Sequence, residues 1–225
     1  MPALVVHVRP YRETSAMVQF FTRQEGRFVG VMKGLHRRRN PVSVQPFCYG
    51  SLSCYGRGGM MTVTQFELTG RYGLVADALS AGFYVLELIT RCLGEKQSEP
   101  AIFDATLAVL EKLQAQQALA PTLRNYELQL LAGLGYGIDF ETEAVSGKAI
   151  IADHRYVFDA GSGFHLIESA DSGFPGWILL SIAQRQLQDP KVLRAAKLVN
   201  QAALAPLLGS APLISRSLYS GTSRG

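Results

Sequence analysis

Lys33, His36, Arg37, Arg38 and Arg39 gather four fixed cations and one titratable imidazole into seven residues. Charges packed that closely repel one another by a few kcal/mol at surface dielectric unless counterions or an anionic partner neutralise them. A polyanion does this well, because each neutralised phosphate releases condensed counterions. The chemistry open to this run is electrostatic capture of a phosphate backbone; the competing reading is a solvated loop whose charge serves only solubility. Gly34 and the Asn40-Pro41 pair are turn-forming, and Phe28–Met32 and Phe47–Tyr49 flank the run with apolar sequence. The cations therefore ride a loop between two strands.

Catalysis would leave other marks. Asp153-His154, Asp159 and His165 are the one concentration of metal-capable side chains in the sequence, and they surround a predicted hairpin whose turn is polar in any case. Glu141 and Glu143 follow a helix stop without a partner acid at useful spacing, and His7 falls within a strand. Neither a Gly-x-Ser-x-Gly elbow nor a Walker A loop occurs. Gly133-Leu134-Gly135-Tyr136-Gly137 follows a helix rather than a strand, so it reads as a helix stop and not as a nucleotide fingerprint. No catalytic residue, metal site or cofactor is expected, and the chain does not read as an enzyme.

The elements that must carry the basic loop are short strands. Leu4–Val8, Ala16–Phe21, Arg27–Lys33, Gln45–Tyr55 and Met60–Leu68 are strand-like segments separated by turn residues, with no helical period between them. Five strands in about seventy residues predict a small β-barrel of the OB type, with an SH3-like barrel as the five-stranded alternative. OB barrels hold single strands by joining a basic groove to aromatic faces on which bases stack. The cations Arg9, Arg12, Lys33 and Arg57 join the basic run as candidates for backbone contact. Tyr11 and Tyr55, beside turns and cations, are the stacking candidates, while most other aromatics must fill the barrel.

From residue 73 the period changes to that of helices. Leu79, Phe83, Leu86, Thr90 and Leu93 mark one helix, Pro100 to Leu113 a second, and Pro121 opens a third with Leu123, Tyr126, Leu130 and Leu134 as its stripe. A β-hairpin is expected within 148–167, followed by helices over Trp177–Leu187 and Pro190–Leu208. The fold class is thus α+β in two domains: a five-stranded barrel over 1–72, and a helical domain with an inserted hairpin over 73–225. Charge follows the same division, since residues 1–80 hold ten Lys/Arg against four Asp/Glu and the remainder twelve against fourteen. A basic module for a polyanion beside a near-neutral module with another task is the natural reading. Three cysteines without C-x-x-C spacing, no apolar run of about 18 residues and no signal-like start point to a reduced, cytoplasmic protein.

Val8-Arg9-Pro10-Tyr11-Arg12-Glu13-Thr14-Ser15, Phe21-Thr22, Gly26-Arg27, Lys33-Gly34 and Gln45-Pro46-Phe47 together resemble the RecO family of bacterial recombination mediators. Arg124–Leu131, Leu134-Gly135-Tyr136, Leu193–Lys197 and the closing Pro212–Leu218 extend the resemblance in order along nearly the whole chain. It implies an N-terminal OB-fold and a helical C-terminal domain. It further implies a nucleoid-associated protein that binds single- and double-stranded DNA, anneals complementary strands and binds the acidic C-terminal tail of single-strand-binding protein (SSB). With RecR such proteins help load RecA onto SSB-coated DNA, RecF and RecA being indirect partners. Many members carry a four-cysteine zinc site after the Leu-Gly-Tyr stretch; Phe140–Lys148 holds no cysteine, so the chain resembles the zinc-less branch. Ile214 stands where the closing motif usually has a basic residue. The rival reading, from the barrel alone, is an RNA-binding or ribosome-associated OB protein, and DNA-versus-RNA competition separates the two.

The third helix carries the partner expectation. With Leu123 and Tyr126 packed inward, Arg124 falls at the edge of the stripe, where its stem lies on apolar surface and its guanidinium stays free to grip the tail's terminal carboxylate. Glu127 is expected outside the stripe. The bland alternative is an exposed Arg124–Glu127 pair three residues apart.

Overall fold

The computed structural model describes residues 1–33, 44–56, 60–168 and 172–215. Its first five strands are β1 (Pro2–Tyr11), β2 (Ser15–Thr22), β3 (Gly26–Met32), β4 (Cys48–Tyr55) and β5 (Met60–Arg71). They close into a barrel of order β1-β2-β3-β5-β4, in which β3 and β5 run parallel and the other neighbours antiparallel. This is the OB-type barrel that the strand count predicts. Alternate residues point inward, as a two-residue period requires. Val18 and Phe20 of β2, Phe28 of β3, Leu52 of β4 and Val63 and Phe66 of β5 form the core. The Phe20 ring lies 6.0 Å from Phe28 and 5.6 Å from Phe66, so three of the barrel aromatics are committed to filling it.

Packing divides the chain into two compact units, Met1–Gln116 with the closing segment from Pro212, and Gln117–Ala211. In the first, α1 (Ala76–Cys92) and α2 (Pro100–Gln114) lie against the barrel. Phe47 stacks edge-on to Phe83 at 5.0 Å, and Phe21 meets Phe103 at 5.3 Å. Gly82 makes room for the first contact, since a Cβ there would lie 2.9 Å from the Phe47 ring and 2.3 Å from a Leu74 methyl. Gly26 sits at φ +66°, and a Cβ on it would lie 1.9 Å from the Gln97 carbonyl oxygen. This position admits only glycine.

The closing Pro-Leu-Ile-Ser returns to this unit through a side-chain clasp. Glu87 of α1 accepts hydrogen bonds from the Ile214 N–H at 2.8 Å, the Ser215 N–H at 2.9 Å and the Ser215 hydroxyl at 2.6 Å. Arg91, one turn on, donates to the Pro212 carbonyl at 3.1 Å and lies 3.7 Å from Glu87. Burial pushes the Glu87 carboxyl up, but the Ser215 hydroxyl, the two N–H groups and Arg91 outweigh it and hold the carboxyl below its ordinary value of 4.5. The clasp therefore stabilises fully above that value and is lost as pH falls through the lower, folded one. Glu87→Gln should cost about 1.5–3 kcal/mol in urea titrations at pH 7, the range for hydrogen bonds to a charged group. The gap to the parent should close as pH falls through the folded value, and a gap that persists once the carboxyl is protonated would show that charge is not what holds the segment.

The second unit is built from α3 (Leu119–Gly133), α4 (Gly176–Ala183) and α5 (Pro190–Leu208) with a small sheet. The expected hairpin is β6 (Arg155–Asp159) with β7 (Gly163–Ile167), and a two-residue strand, β8 (Phe174–Pro175), adds to the other edge of β6. Phe140, Tyr156, Phe164, Leu179, Ile182 and Val199 lie in one core. α3 ends as its glycines predict: Gly135 takes φ +81°, its N–H bonds to the Ala132 carbonyl, and the Tyr136 N–H reaches back to that of Leu131. That pair of bonds is the Schellman stop. α5 starts on Asp189, whose side chain accepts from the Lys191 N–H at 2.6 Å, with Pro190 in the first turn.

Candidate nucleic-acid interface

Strand register shows which barrel residues share the outer surface. His7 faces Gln19, which faces Val29, which faces Met60. One step along, Arg9 faces Met17, Met17 faces Val31, Val31 faces Thr62, and Thr62 faces Tyr55. The side chains of these two rows point away from the barrel core, since their neighbours Val8, Val18, Phe28 and Val63 pack inside, yet Val31 is itself buried and Met17, Gln19, Val29 and Thr62 are half-buried. The second row runs round the closed wall and carries an exposed cation on β1 and an exposed aromatic ring on β4. An exposed ring can accept a base face, and an exposed cation a phosphate.

The cations gather at one end of this face. Tyr11 faces Ser15 across the β1–β2 turn, and Ala16 faces Met32 at the end of β3. Lys33, the next residue, is therefore level with that turn, and Arg9, Arg12 and Lys33 are all exposed. The basic run follows Lys33 in the sequence. His36, Arg37, Arg38, Arg39 and Arg57 lie outside the described residues.

The two tyrosines, equal candidates in the sequence, are not equal here. Tyr55 is 61% exposed. Tyr11 is half-buried, and the Arg12 guanidinium lies 5.1 Å from its ring centroid, held there by a left-handed Arg12 backbone with φ 54°. A base would have to displace that cation–π contact to stack on Tyr11. Arg27, another cation of the basic half, has a structural task. Its Nη2 donates to the Leu93 carbonyl at 3.0 Å, and its Nη1 lies 3.8 Å from Glu95, joining β3 to the end of α1.

Arg124 is not where the helical period puts it. Rather than a free guanidinium at the edge of a stripe, it is 8% exposed, and its Nη2 donates to Glu127 Oε1 at 2.6 Å. Glu127, expected outside the stripe, is fully buried. The exposed-pair alternative fails as well, because both partners are inside. The reason is Asn200 of α5, whose amide donates to Glu127 Oε2 at 2.9 Å and to the Arg124 carbonyl at 3.2 Å. α3 is buried on almost every side, from Thr122 to Leu131 with Asn125 and Gln129 as the exceptions, and Leu123 and Tyr126 belong to its core-facing set. The Nε and Nη1 of Arg124 and the Oδ1 of Asn200 are buried without a hydrogen-bond partner.

The other polar concentration is a turn. Asp159 Oδ1 accepts from the Gly161 N–H, the Ser162 N–H and the Ser162 hydroxyl at 2.8–3.0 Å, and that hydroxyl lies 2.6 Å from His165 Nε2. Among the described residues no three His, Cys, Asp or Glu side chains are grouped to hold a metal ion. Among the same residues no helix is long and apolar enough to cross a membrane.

The described chain thus comprises a closed OB-type barrel and a helical unit. Kinship with known proteins sharpens this. Residues 1–72 match the family model described as recombination protein O N terminal, and residues 75–173 match recombination protein O C terminal. The chain is 36% identical to the DNA repair protein RecO of Actinobacillus pleuropneumoniae serotype 7 (strain AP76) over 221 residues, covering 96% of this chain and 92% of the relative. It is 36% identical to that of Stutzerimonas stutzeri (strain A1501) over 97% and 92%, and 37% identical to that of Pseudomonas entomophila (strain L48) over 97% and 96%. The chain belongs to the RecO family of DNA repair proteins.

Proposed function

We propose that this protein is a non-catalytic DNA-binding mediator, with the barrel of residues 1–72 holding single- and double-stranded DNA and residues 73–225 serving protein partners. The observation that carries the reading is the exposed basic end of the barrel, where Arg9, Arg12 and Lys33 gather beside the β1–β2 turn and the basic run follows Lys33 in sequence, with the exposed Tyr55 ring elsewhere on the wall. Annealing needs no catalytic group. It needs a surface that neutralises two strands at once, so that complementary bases meet without full phosphate repulsion. In this reading the protein anneals complementary strands and, with RecR, helps load RecA onto SSB-coated DNA. The acidic SSB tail docks on the helical half, at a place other than Arg124, whose guanidinium is buried against Glu127.

Annealing of SSB-coated complementary oligonucleotides tests the proposal. The rate should rise with protein concentration, and competitor RNA of the same sequence should inhibit less than competitor DNA. An annealing rate that does not depend on the protein would overturn the reading. Stronger inhibition by RNA would return it to an RNA-binding OB protein.

A further inference from the structure

Residues 117–211 are near-neutral as a unit, with seven Lys/Arg against nine Asp/Glu, but the two signs are kept apart along the chain. Seven of the nine acids fall within 139–171, in and around the small sheet, and four of the seven cations fall within 185–197. Three of those four, Lys191, Arg194 and Lys197, stand on the first half of α5, and all three are exposed. Steps of three residues turn a helix back by about 60°, so the three share about a third of its circumference and span about 9 Å of its axis. The other side of the same stretch, Val192, Ala195, Ala196 and Val199, is buried in the core of the unit.

Acids one turn away would neutralise such a row. α5 holds no Asp or Glu at all, and none of the three cations forms an ion pair among the described residues. Asp189, directly before the helix, is engaged as its cap, with Oδ1 on the Lys191 N–H. The row also lies toward the positive end of the helix dipole, where cations are disfavoured. Folding therefore gains nothing from these charges, and their repulsion is relieved by counterions or by an anion from outside.

We propose that this face of α5 is a second phosphate-binding surface, on which Lys191, Arg194 and Lys197 hold the backbone of a DNA strand other than the one on the barrel. This rests on the DNA-binding reading of the barrel and gives the helical unit a share in it. A strand presents a phosphate about every 3.4 Å of duplex axis, so a row about 9 Å long meets two or three. Neither the cavity beside the hairpin nor the one against Ile182 and Arg185 reaches these residues. Evenly spaced charge without a seat for an apolar anchor suits a polyanion, and contacts to phosphate alone read no sequence. Two such surfaces on one chain let it carry both strands of an annealing pair, each with its phosphates partly neutralised.

The test is a triple variant of the full chain, Lys191→Gln, Arg194→Gln and Lys197→Gln. Fluorescence titration with a short DNA oligonucleotide that cannot self-pair should find two strands per parent chain and one per variant chain. Annealing of naked complementary oligonucleotides should slow roughly tenfold or more in the variant. The melting temperature should hold or rise, because the helix loses repelling charges near its positive end. Lys191→Arg with Lys197→Arg, which keeps the charge, should bind two strands as the parent does. One strand per parent chain, or a triple variant that binds and anneals like the parent, would overturn the inference and leave the barrel as the DNA site. A fall in melting temperature would overturn it too, by making the cations structural. So would a variant that anneals normally but loses a labelled oligoglutamate held by the parent, which would assign the face to an acidic peptide. A parent that binds no DNA at all would instead overturn the underlying reading.

Discussion

Arg124→Ala should destabilise the protein by about 3–5 kcal/mol in urea denaturation, the range for breaking a buried ion pair from one side. Glu127 is fully buried, and Asn200 can neutralise none of its charge. The remaining carboxylate must then take up a proton or draw in water, and either costs more than the pair gained by forming. Replacing both residues by Met should cost far less, because the desolvation penalty leaves together with the attraction. An exposed pair three residues apart on a helix would give only about 0.2–0.5 kcal/mol. A loss below about 1 kcal/mol for Arg124→Ala would therefore mean that the pair is open to solvent after all.

Arg124 also shows where reading the sequence stops. The helix was legible from Leu123, Tyr126 and Leu130, and its end from Gly135. What hides is that a helix surrounded by other elements has no solvent face. A polar pair then looks like surface until its partner, 73 residues on at Asn200, is known. Arg27 makes the same point: it is a cation of the basic half, and its acceptor is the Leu93 carbonyl, 66 residues away. Barrel strands were readable because alternation is local, and the inward set Val18, Phe20 and Phe28 follows from it directly. Tyr11 and Tyr55 could not be ranked, since the Arg12 backbone that lays a guanidinium on one ring leaves no trace in composition. The two-residue β8 is too short to show a period. The closing motif was visible as a motif, but its target, Glu87, was not. Its departure at Ile214 now has an account: that side chain is 77% exposed, while the N–H is what Glu87 binds. Residue type at 214 is therefore free as far as the clasp is concerned.

DNA affinity should respond to charge and to ring removal in two separable ways. Arg37→Ala, Arg38→Ala and Arg39→Ala combined should weaken single-strand binding uniformly across sequences, since phosphate contacts carry no base information. The slope of log affinity against log salt should fall by roughly 0.7 for each phosphate no longer neutralised, so by about 2 for the triple variant. Arg9→Ala, exposed on β1, should free about one further phosphate by the same measure. Tyr55→Ala should behave differently, costing about 1–3 kcal/mol of binding with the salt slope unchanged, because stacking releases no counterions. Tyr11→Ala should cost less than Tyr55→Ala, because its ring already faces Arg12 at 5.1 Å. Melting temperatures of Arg9→Ala and Tyr55→Ala should stay near the parent's, as exposed side chains contribute little to stability. An unchanged slope in the triple variant would mean that the run is merely solvated. Loss of affinity in Tyr55→Ala together with a reduced slope would mean that the ring positions a cation rather than a base.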